Sequence, residues 1–348
     1  MVACAEPMTG RGGKMMARRS TGKVRVARSL WYTRKGVAEI RTARLPPPGP
    51  DEACVRTQFS GISRGTEKLV FEGGIGQSEW ERMRCPMQDG AFSFPVKYGY
   101  CATGVIEDGP AQLIGRTVFC LYPHQDFFIV PITALALIPD DVPARRATLA
   151  ANMETALNAV WDSGAGPGDR IVVVGAGVVG LLVASLAARL PAAVVTAVDT
   201  DTSRRTLVES LGAAFATPKQ APTEADIVFH CSATSAGLNT AIACAGIEAT
   251  VVEMSWYGSK PVQVDLGGAF HSRRLKLVSS QVGMVSPGRR PRWDYRRRLT
   301  AALRLLAEPA FDALVTEEIA FDEAPQRLPQ IFAPGAHGLA PVIRYPNS

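Results

Sequence analysis

The chain has 348 residues, of which 47% are hydrophobic, and its formal net charge is +6 at pH 7. This length favours two domains with a substantial buried core. No stretch of 18 apolar residues is uninterrupted, which excludes a membrane span, and the seven cysteines are scattered without a CxxC pair. We therefore expect a cytoplasmic protein from a reducing compartment, with no membrane partner and no zinc ribbon.

Much of the excess positive charge lies at the N-terminus. Residues 1–28 hold seven lysines and arginines against the single acid Glu6. We predict that residues 1–22 form a disordered basic leader. A later start at Met15 or Met16 would explain the same composition, and so would a transit peptide.

A second basic segment lies between Arg289 and Arg298, where arginines alternate with Trp293 and Tyr295. Such a mixture could contact nucleic acid. A loop leading into a helix with one solvated face explains it as well, and we favour that interpretation. We therefore expect no nucleic-acid partner, although an acidic group on a substrate is another candidate for this segment.

Before residue 150 the chain predicts short strands separated by Gly and Pro. This pattern is typical of a β-rich, barrel-like domain. The predicted strands are Lys23–Ala27, Val37–Ala43, Ala53–Ser60, Gly104–Glu107, Thr117–Leu121 and Asp126–Pro131.

From Arg145 to Asp162 the apolar spacing becomes helical, and strands then alternate with helices as in a parallel sheet. The following predicted elements are Ile171–Val174, Leu181–Arg189, Val194–Val198, Arg204–Leu211, Ile227–His230, Leu238–Ala245, Thr250–Glu253 and Leu275–Ser279. After these come an arginine-rich helix, Tyr295–Ala307, a strand at Ile319–Phe321 and a closing strand at Ala340–Arg344.

The most informative motif is the GAGVVG turn after the first of these strands. Gly175 permits a tight turn, Gly177 lets the backbone approach a pyrophosphate, and Gly180 lets helix and strand pack closely. The free N–H groups at the start of the helix attract the phosphates. The predicted dinucleotide site therefore comprises Gly175, Gly177, Val178, Val179, Gly180, Asp199 and Arg204.

Asp199 decides the expected cofactor. It closes the second strand 19 residues after Gly180, where its carboxylate can accept hydrogen bonds from both ribose hydroxyls of an adenosine. A 2′-phosphate would meet a like charge there, so we expect NAD rather than NADP. Arg204 and Arg205 leave NADP open as the alternative, because a base shortly after the acid can accommodate the 2′-phosphate.

The order of a β-rich segment, a dinucleotide-binding segment and a short return resembles the medium-chain dehydrogenase/reductase superfamily, which includes zinc alcohol dehydrogenases. The GAGVVG turn with Asp199, Leu211–Ala213 (LGA) and Ala225–Leu238 (ADIVFHCSATSAGL) carry the resemblance. It implies an α/β fold with a GroES-like catalytic domain, residues 23–150 and 289–348, and a Rossmann domain with a doubly wound parallel sheet, residues 151–288. It also implies a homodimer, and places Ser232 and Ala233 near the nicotinamide half of the cofactor.

The zinc ligands of that family are absent at the matching positions. Ser63 stands where the family has a cysteine ligand, Tyr100 where it has a histidine, and Cys101 where it has a glutamate. The four-cysteine structural zinc lobe is also missing. Hydroxyl groups are poor substitutes for thiolate and imidazole, so we expect neither a catalytic nor a structural zinc ion.

Without zinc, a carbonyl oxygen that gains negative charge during hydride transfer needs a proton donor or a fixed dipole. The predicted catalytic residues are Ser63, Thr66, Tyr100 and Glu154. Each has a structural alternative: Ser63 and Thr66 could cap a helix starting near Glu67, Tyr100 could belong to the core, and Glu154 could belong to a capped helix turn. His124 is a weaker candidate, which we expect at the surface.

The string Ser60–Glu67 (SGISRGTE) looks like that of the bacteriochlorophyllide hydroxyethyl dehydrogenase group, which is expected to oxidise a secondary alcohol with NAD. The segment Gly73–Phe94 is longer than that group implies, and its apolar side chains could cover a bulky substrate or simply pack locally. We predict an NAD(H)-dependent enzyme that interconverts a secondary alcohol and a ketone. The alternatives are an NADPH-dependent quinone or enone reductase and a non-catalytic nucleotide-binding sensor.

Overall fold

The computed structural model describes residues 24–346, so the predicted leader at residues 1–22 lies outside the described residues. The strands are β1 (Arg25–Arg34), β2 (Val37–Leu45), β3 (Glu52–Gly61), β4 (Asp89–Gly90), β5 (Val96–Lys97), β6 (Ala102–Asp108), β7 (Thr117–Cys120), β8 (Phe127–Pro131), β9 (Ala136–Leu137), β10 (Arg170–Val174), β11 (Val194–Val198), β12 (Ala214–Ala216), β13 (Ala225–His230), β14 (Ala245–Glu253), β15 (Lys276–Ser279), β16 (Glu317–Ala320) and β17 (Pro341–Arg344). The α-helices are α1 (Arg64–Phe71), α2 (Ala144–Ala147), α3 (Ala150–Ser163), α4 (Val178–Ala187), α5 (Arg205–Ser210), α6 (Ser235–Cys244), α7 (Ala269–Ser272), α8 (Tyr295–Leu305) and α9 (Ala324–Ile331).

Two sheets contain the strands of the N-terminal part and the C-terminal return. One has the order β2-β1-β5-β4, and the other has the order β16-β17-β3-β6-β7-β9, with β8 also paired to β3. Strand β17 pairs antiparallel with β3, with Val342 opposite Gly61. The last strand of the chain therefore joins the same sheet as the segment that leads into Ser63.

A third sheet contains parallel strands in the order β12-β11-β10-β13-β14-β15. Its central strand β10 is buried on both faces: Ile171 and Val173 contact one apolar cluster, and Val172 and Val174 another. The first cluster includes α3, α4 and α8, and the second includes α6. The chain order reverses between β10 and β13, and in such sheets ligands bind in the crevice at the carboxyl ends of the strands.

The strand and helix predictions agree with this architecture, with shifted boundaries. Strand β1 runs from Arg25 to Arg34 rather than over Lys23–Ala27, because its whole length pairs with β2 and buries Leu30 and Tyr32. The single helical segment predicted from Arg145 to Asp162 is divided into α2 and α3. No helix within residues 24–346 is long and apolar enough to cross a bilayer.

Gly180 leaves no room for a side chain. A Cβ atom built there would come within 1.9 Å of the carbonyl oxygen of Gly175, whereas one built at Gly177 would meet nothing within 4 Å. We expect Gly180→Ala to lower the free energy of unfolding by about 1–3 kcal/mol, since backbone atoms must move. The matched Gly177→Ala should change it by less than about 0.5 kcal/mol. Equal denaturant midpoints for the two variants would contradict this.

Candidate cofactor and active site

The glycine turn connects β10 to α4 at the crevice. Gly175 has a φ of +104°, and a Cβ atom there would lie 2.8 Å from the backbone nitrogen of Ser232. Gly177 precedes the first residue of α4, and Val178 and Val179 are half-buried in its first turn. The open space beside Gly177 is where a pyrophosphate would meet the N–H groups of the helix. The turn therefore has the backbone and the room that a dinucleotide requires.

Asp199 follows β11 directly and is half-buried. Its Oδ2 accepts the N–H of Ala176 at 2.6 Å, and its Oδ1 accepts the N–H of Asp201 at 2.8 Å. These two backbone donors fix the carboxylate at the carboxyl end of β11, next to the glycine turn. The carboxylate thus lies at the end of the strand that follows the turn, as the sequence predicted.

The two arginines after Asp199 have different surroundings. Arg204 donates to the carbonyl oxygen of Ala176 in the turn and pairs with Asp201 at 3.2 Å. Arg205 points elsewhere, because its guanidinium lies 4.7 Å from the centre of the Phe215 ring. Burial lowers the pKa of Arg64, and the charge of Arg204 lowers it further, so α1 approaches this end of the sheet.

Ser232 and Ala233 lie just beyond the end of β13, and the backbone of Ser232 lies beside the glycine turn. The N–H of Ala233, a residue with a φ of +53°, donates to Ser255 Oγ at 3.0 Å. Ser232 Oγ lies 2.7 Å from Nε2 of His230, which is fully buried. Sequence reasoning missed His230, because a histidine at the end of an apolar strand gives no signal of its partners.

Three hydroxyl-bearing candidates are brought together. Ser63 immediately precedes α1, Thr66 lies in its first turn, and the hydroxyl groups of both lie close enough to Tyr100 to lower its pKa. Tyr100 also packs against the apolar cluster that includes Leu181 and Leu182 of α4. The two expected capping roles are not observed, because no side chain caps α1.

The Tyr100 phenol is a proton donor at neutral pH. Burial raises its pKa, the negative charge of Glu67 raises it further, and the neighbouring hydroxyl groups of Ser63 and Thr66 lower it by less. The net shift is upward, so the hydroxyl stays protonated. Such a group can donate a proton to an oxygen that becomes negative.

A buried polar network is connected through Glu67 to the candidates Ser63, Thr66 and Tyr100. Nε2 of His124 lies 2.9 Å from Oε2 of Glu67, which also accepts the Tyr32 hydroxyl at 2.8 Å. Nδ1 of His124 lies 2.7 Å from Ser60 Oγ, and that oxygen lies 2.9 Å from the Tyr345 hydroxyl. The expectation of a surface His124 was wrong, because its exposed fraction is 0%. Glu67 Oε1 accepts the N–H of Ser63 at 2.7 Å, which fixes the backbone of a candidate residue.

The positions that hold zinc in the resembled family do not suit a metal here. Ser63 and Tyr100 offer hydroxyl groups, and burial raises the pKa of the Cys101 thiol well above its ordinary value. Among residues 24–346 no group of three or more His, Cys, Asp or Glu side chains could hold a metal ion. This donor set does not fit zinc.

Glu154 is held by Arg298 rather than by the hydroxyl cluster. Its Oε1 accepts from Arg298 Nε at 2.8 Å, and both side chains are buried. Arg298 also donates to Asn158 Oδ1 at 2.7 Å. The interpretation of the arginine run as a solvated face was wrong at Arg298, which is 2% exposed. The proposed role of Glu154 as a base stays a prediction, and this ion pair disfavours it.

The segment Gly73–Phe94 mostly packs locally. Phe92 is buried and contacts Tyr98, and Trp80 and Phe94 pack against the same apolar cluster. Trp80 donates to the carbonyl oxygen of Ile75 at 3.1 Å. Met87, by contrast, is 42% exposed.

Residues 151–256 match the family model described as alanine dehydrogenase/PNT, C-terminal domain. A protein named probable D-xylulose reductase A, from Aspergillus fumigatus, is 25% identical over 207 residues, 51% of this chain and 57% of that protein. The chain therefore matches little more than half the length of this curated relative.

Solved structures with the same fold cover nearly the whole chain. L-Idonate 5-dehydrogenase from Escherichia coli has a TM-score of 0.74 at 14% identity, covering 92% of this chain and 99% of that one. The 2R,3R-butanediol dehydrogenase from Bacillus subtilis has a TM-score of 0.72 at 18% identity, covering 91% and 99%. A Sinorhizobium meliloti protein assigned as a zinc-binding dehydrogenase, solved with NADP, has a TM-score of 0.72 at 19% identity, covering 92% and 99%.

The fold and the glycine turn define a two-domain protein of the dinucleotide-binding class, with a GroES-like domain and a Rossmann domain, as the sequence predicted. In fold the chain is similar to alcohol dehydrogenases, and in sequence it is similar to a probable D-xylulose reductase A over about half its length, which agrees with the resemblance to the medium-chain dehydrogenase/reductase superfamily. The resemblance to the bacteriochlorophyllide branch stays a prediction.

The Glu154–Arg298 pair should support the fold rather than proton transfer. We expect Glu154→Gln to lower the free energy of unfolding by about 3 kcal/mol, because a buried guanidinium loses its counter-charge. The matched change Glu308→Gln removes an ion pair with Arg189 that has a similar distance, 2.9 Å, but is exposed to solvent. It should lower the free energy of unfolding by at most about 1 kcal/mol. Denaturant titration measures both. Unchanged stability with abolished turnover in Glu154→Gln would instead support a role as base.

Proposed function

We propose that this protein is an NAD(H)-dependent oxidoreductase that interconverts a secondary alcohol and a ketone without catalytic zinc. The observation that carries the proposal is the Asp199 carboxylate, fixed by the Ala176 N–H at the end of β11 beside an unobstructed glycine turn. The substrate would occupy the cleft between the sheet whose strand β3 leads into Ser63 and the parallel sheet.

The cofactor would be held by residues of the parallel sheet. Gly177, Val178 and Val179 would bind the pyrophosphate through backbone N–H groups at the start of α4, while Gly175 and Gly180 would allow the tight turn and the close packing of the helix. Asp199 would accept the adenosine ribose hydroxyls, and Arg204 would lie beside the turn. Ser232 and Ala233 would border the nicotinamide half. The bound nicotinamide would supply or accept the hydride.

The hydroxyl cluster would handle the proton. Tyr100, protonated at neutral pH, would donate to the carbonyl oxygen during reduction and take the proton back during oxidation. Ser63 and Thr66, whose hydroxyl groups lie beside that phenol, would orient it and relay to it a proton taken from solvent after reduction. A neutral donor replaces the Lewis acid in this scheme, which agrees with a donor set that does not fit zinc.

The relatives support the substrate class. D-xylulose reductase and 2R,3R-butanediol dehydrogenase are named for a ketose and a diol, and so support alcohol–ketone chemistry for this chain. A bulky substrate stays part of the proposal. So does a homodimer, for which β15 offers an outer edge of the parallel sheet.

An NADPH-dependent reductase of quinones or activated double bonds is the second candidate. The observation that favours it is Arg204, whose guanidinium lies at the turn and could pair with a 2′-phosphate. The similar Sinorhizobium meliloti protein was solved with NADP.

Replacing Asp199 tests the cofactor. Asp199→Ala should raise the NADH dissociation constant at least about tenfold, because the ribose hydroxyls lose a charged acceptor. It should also remove any preference for NADH over NADPH. Asp226→Ala is the matched control, since Asp226 lies at the opposite end of the sheet and pairs with Arg170. Titration of nicotinamide fluorescence gives both constants. Tighter NADPH than NADH binding by the unaltered protein would favour the reductase.

Tyr100→Phe tests the zinc-free chemistry. It should lower kcat for ketone reduction about 100-fold or more, because the general acid is lost, with little change in NADH binding. Tyr98→Phe, two residues away in the same segment, is the matched control. Prolonged treatment with a metal chelator should leave activity unchanged, and elemental analysis should find no stoichiometric zinc. Loss of activity on chelation, restored by zinc, would overturn this part of the proposal.

A further inference from the structure

Three side chains at the carboxyl edge of the parallel sheet, Glu253, His230 and Ser232, form a hydrogen-bonded chain. Only Ser232 has a role in the proposed function. His230 ends β13 and Glu253 ends β14, and the two are register partners. Nδ1 of His230 lies 2.8 Å from Glu253 Oε2, and its Nε2 lies 2.7 Å from Ser232 Oγ. His230 is fully buried, whereas Ser232 is half-buried at the crevice. The chain therefore runs from the protein interior to the candidate cofactor site.

The partners of Glu253 fix the protonation of the imidazole. Besides His230, its carboxylate accepts the Ser255 N–H at 2.7 Å and the Tyr257 hydroxyl at 3.0 Å. Burial raises the pKa of Glu253, but the hydrogen bonds with His230 and with Ser255 outweigh it, so the net pKa is lowered. An ionised carboxylate only accepts hydrogen bonds, which places the proton of His230 on Nδ1.

The orientation of the Ser232 hydroxyl follows. In the tautomer with the proton on Nδ1, Nε2 of His230 is an acceptor, and the Ser232 hydroxyl donates to it. Thr234 Oγ1 accepts the Gly237 N–H at 3.0 Å and lies 3.1 Å from Ser232 Oγ, so the Thr234 hydroxyl can donate to that oxygen. Ser232 keeps a further lone pair, and its oxygen is an acceptor toward the crevice.

The backbone of Ser232 is fixed beside the glycine turn. The N–H of Cys231 donates to the Val174 carbonyl at 2.8 Å, and the nitrogen of Ser232 lies against Gly175. This position belongs to the second half of the sheet. When the adenosine half of a dinucleotide lies over β10 and β11, the nicotinamide half lies over this second half.

We propose that His230 and Glu253 are positioning residues that orient Ser232 as a hydrogen-bond acceptor for the nicotinamide nucleoside half of the cofactor. The donor would be a ribose hydroxyl or the carboxamide N–H. This inference rests on the proposed dinucleotide binding. It assigns part of the protein's recognition of the nicotinamide half to the buried pair of His230 and Glu253.

Two substitutions of His230 separate positioning from support of the fold. In His230→Asn the amide can reach the Nδ1 position and keep the contact with Glu253, but it leaves Ser232 without its acceptor. In His230→Gln the longer side chain can place an oxygen near the Nε2 position and restore that acceptor. Ser232→Ala removes the proposed hydrogen bond with the smallest change in volume.

The probes are NADH and ADP, which has the adenosine half and the diphosphate but no nicotinamide nucleoside. We expect the NADH dissociation constant to rise about tenfold in His230→Asn and Ser232→Ala, the equivalent of one hydrogen bond, and to stay near the unaltered value in His230→Gln. The ADP dissociation constant, from calorimetric titration, should not change in any of the three.

Other outcomes overturn the inference. Unchanged NADH binding in Ser232→Ala would show that the oxygen is not used. Equal weakening of NADH and ADP binding, or equal losses in His230→Asn and His230→Gln, would show that the network only supports the fold. If the unaltered protein binds neither NADH nor NADPH, the proposed function itself fails. If it binds NADH but the variants do not behave as expected, only the present inference fails.

Discussion

The architecture of the site depends on close contacts at two glycines, Gly180 and Gly237, which leave no space for a side chain. A Cβ atom at Gly180 would collide with the Gly175 carbonyl oxygen at 1.9 Å, and one at Gly237 would collide with Ser232 Oγ at the same distance. These contacts bring the first turns of α4 and α6 against the ends of β10 and β13. The N–H groups at the start of α4 therefore face the crevice, and Ser232 lies beside the glycine turn. The placement of the glycine turn and of Ser232 follows from this close approach.

Buried polar groups then connect segments that are distant in the chain. Glu154 of α3 pairs with Arg298 of α8, and the network of Glu67, His124 and Ser60 reaches Tyr345 at the C-terminal end. Burying such groups costs free energy unless their hydrogen-bonding capacity is satisfied. Each of these groups has partners, so the networks specify which elements meet. The backbone of Ser63 is fixed through one of them, because Glu67 accepts its N–H.

The cluster of Tyr100, Ser63 and Thr66 is chemically different from a zinc site. A metal ion stabilises a developing negative charge without moving a proton, whereas a phenol stabilises it by donating one. Burial and the neighbouring negative charge of Glu67 keep the Tyr100 phenol protonated, and the two smaller hydroxyl groups lie beside it. The same surroundings that make the position unsuitable for a cation make the phenol a stable neutral donor.

The sequence by itself determined the parallel sheet, the glycine turn, the place of Asp199 and the absence of the usual zinc ligands. These features are local: apolar runs predict strands, and a glycine pattern between a strand and a helix is typical of a phosphate-binding turn. It also singled out Ser63, Thr66 and Tyr100 as candidates, although nothing in the chain order required their hydroxyls to meet.

Only the tertiary structure decided the partners of the buried charged groups. His124 and Arg298 were expected at the surface and are buried, and His230 carried no signal at all. Their partners, Glu67, Glu154 and Glu253, lie 57, 144 and 23 residues away in the chain. Whether a polar side chain is buried depends on whether a partner of matching charge and geometry lies opposite it. That pairing arises only when the sheets and helices pack, so no local pattern encodes it.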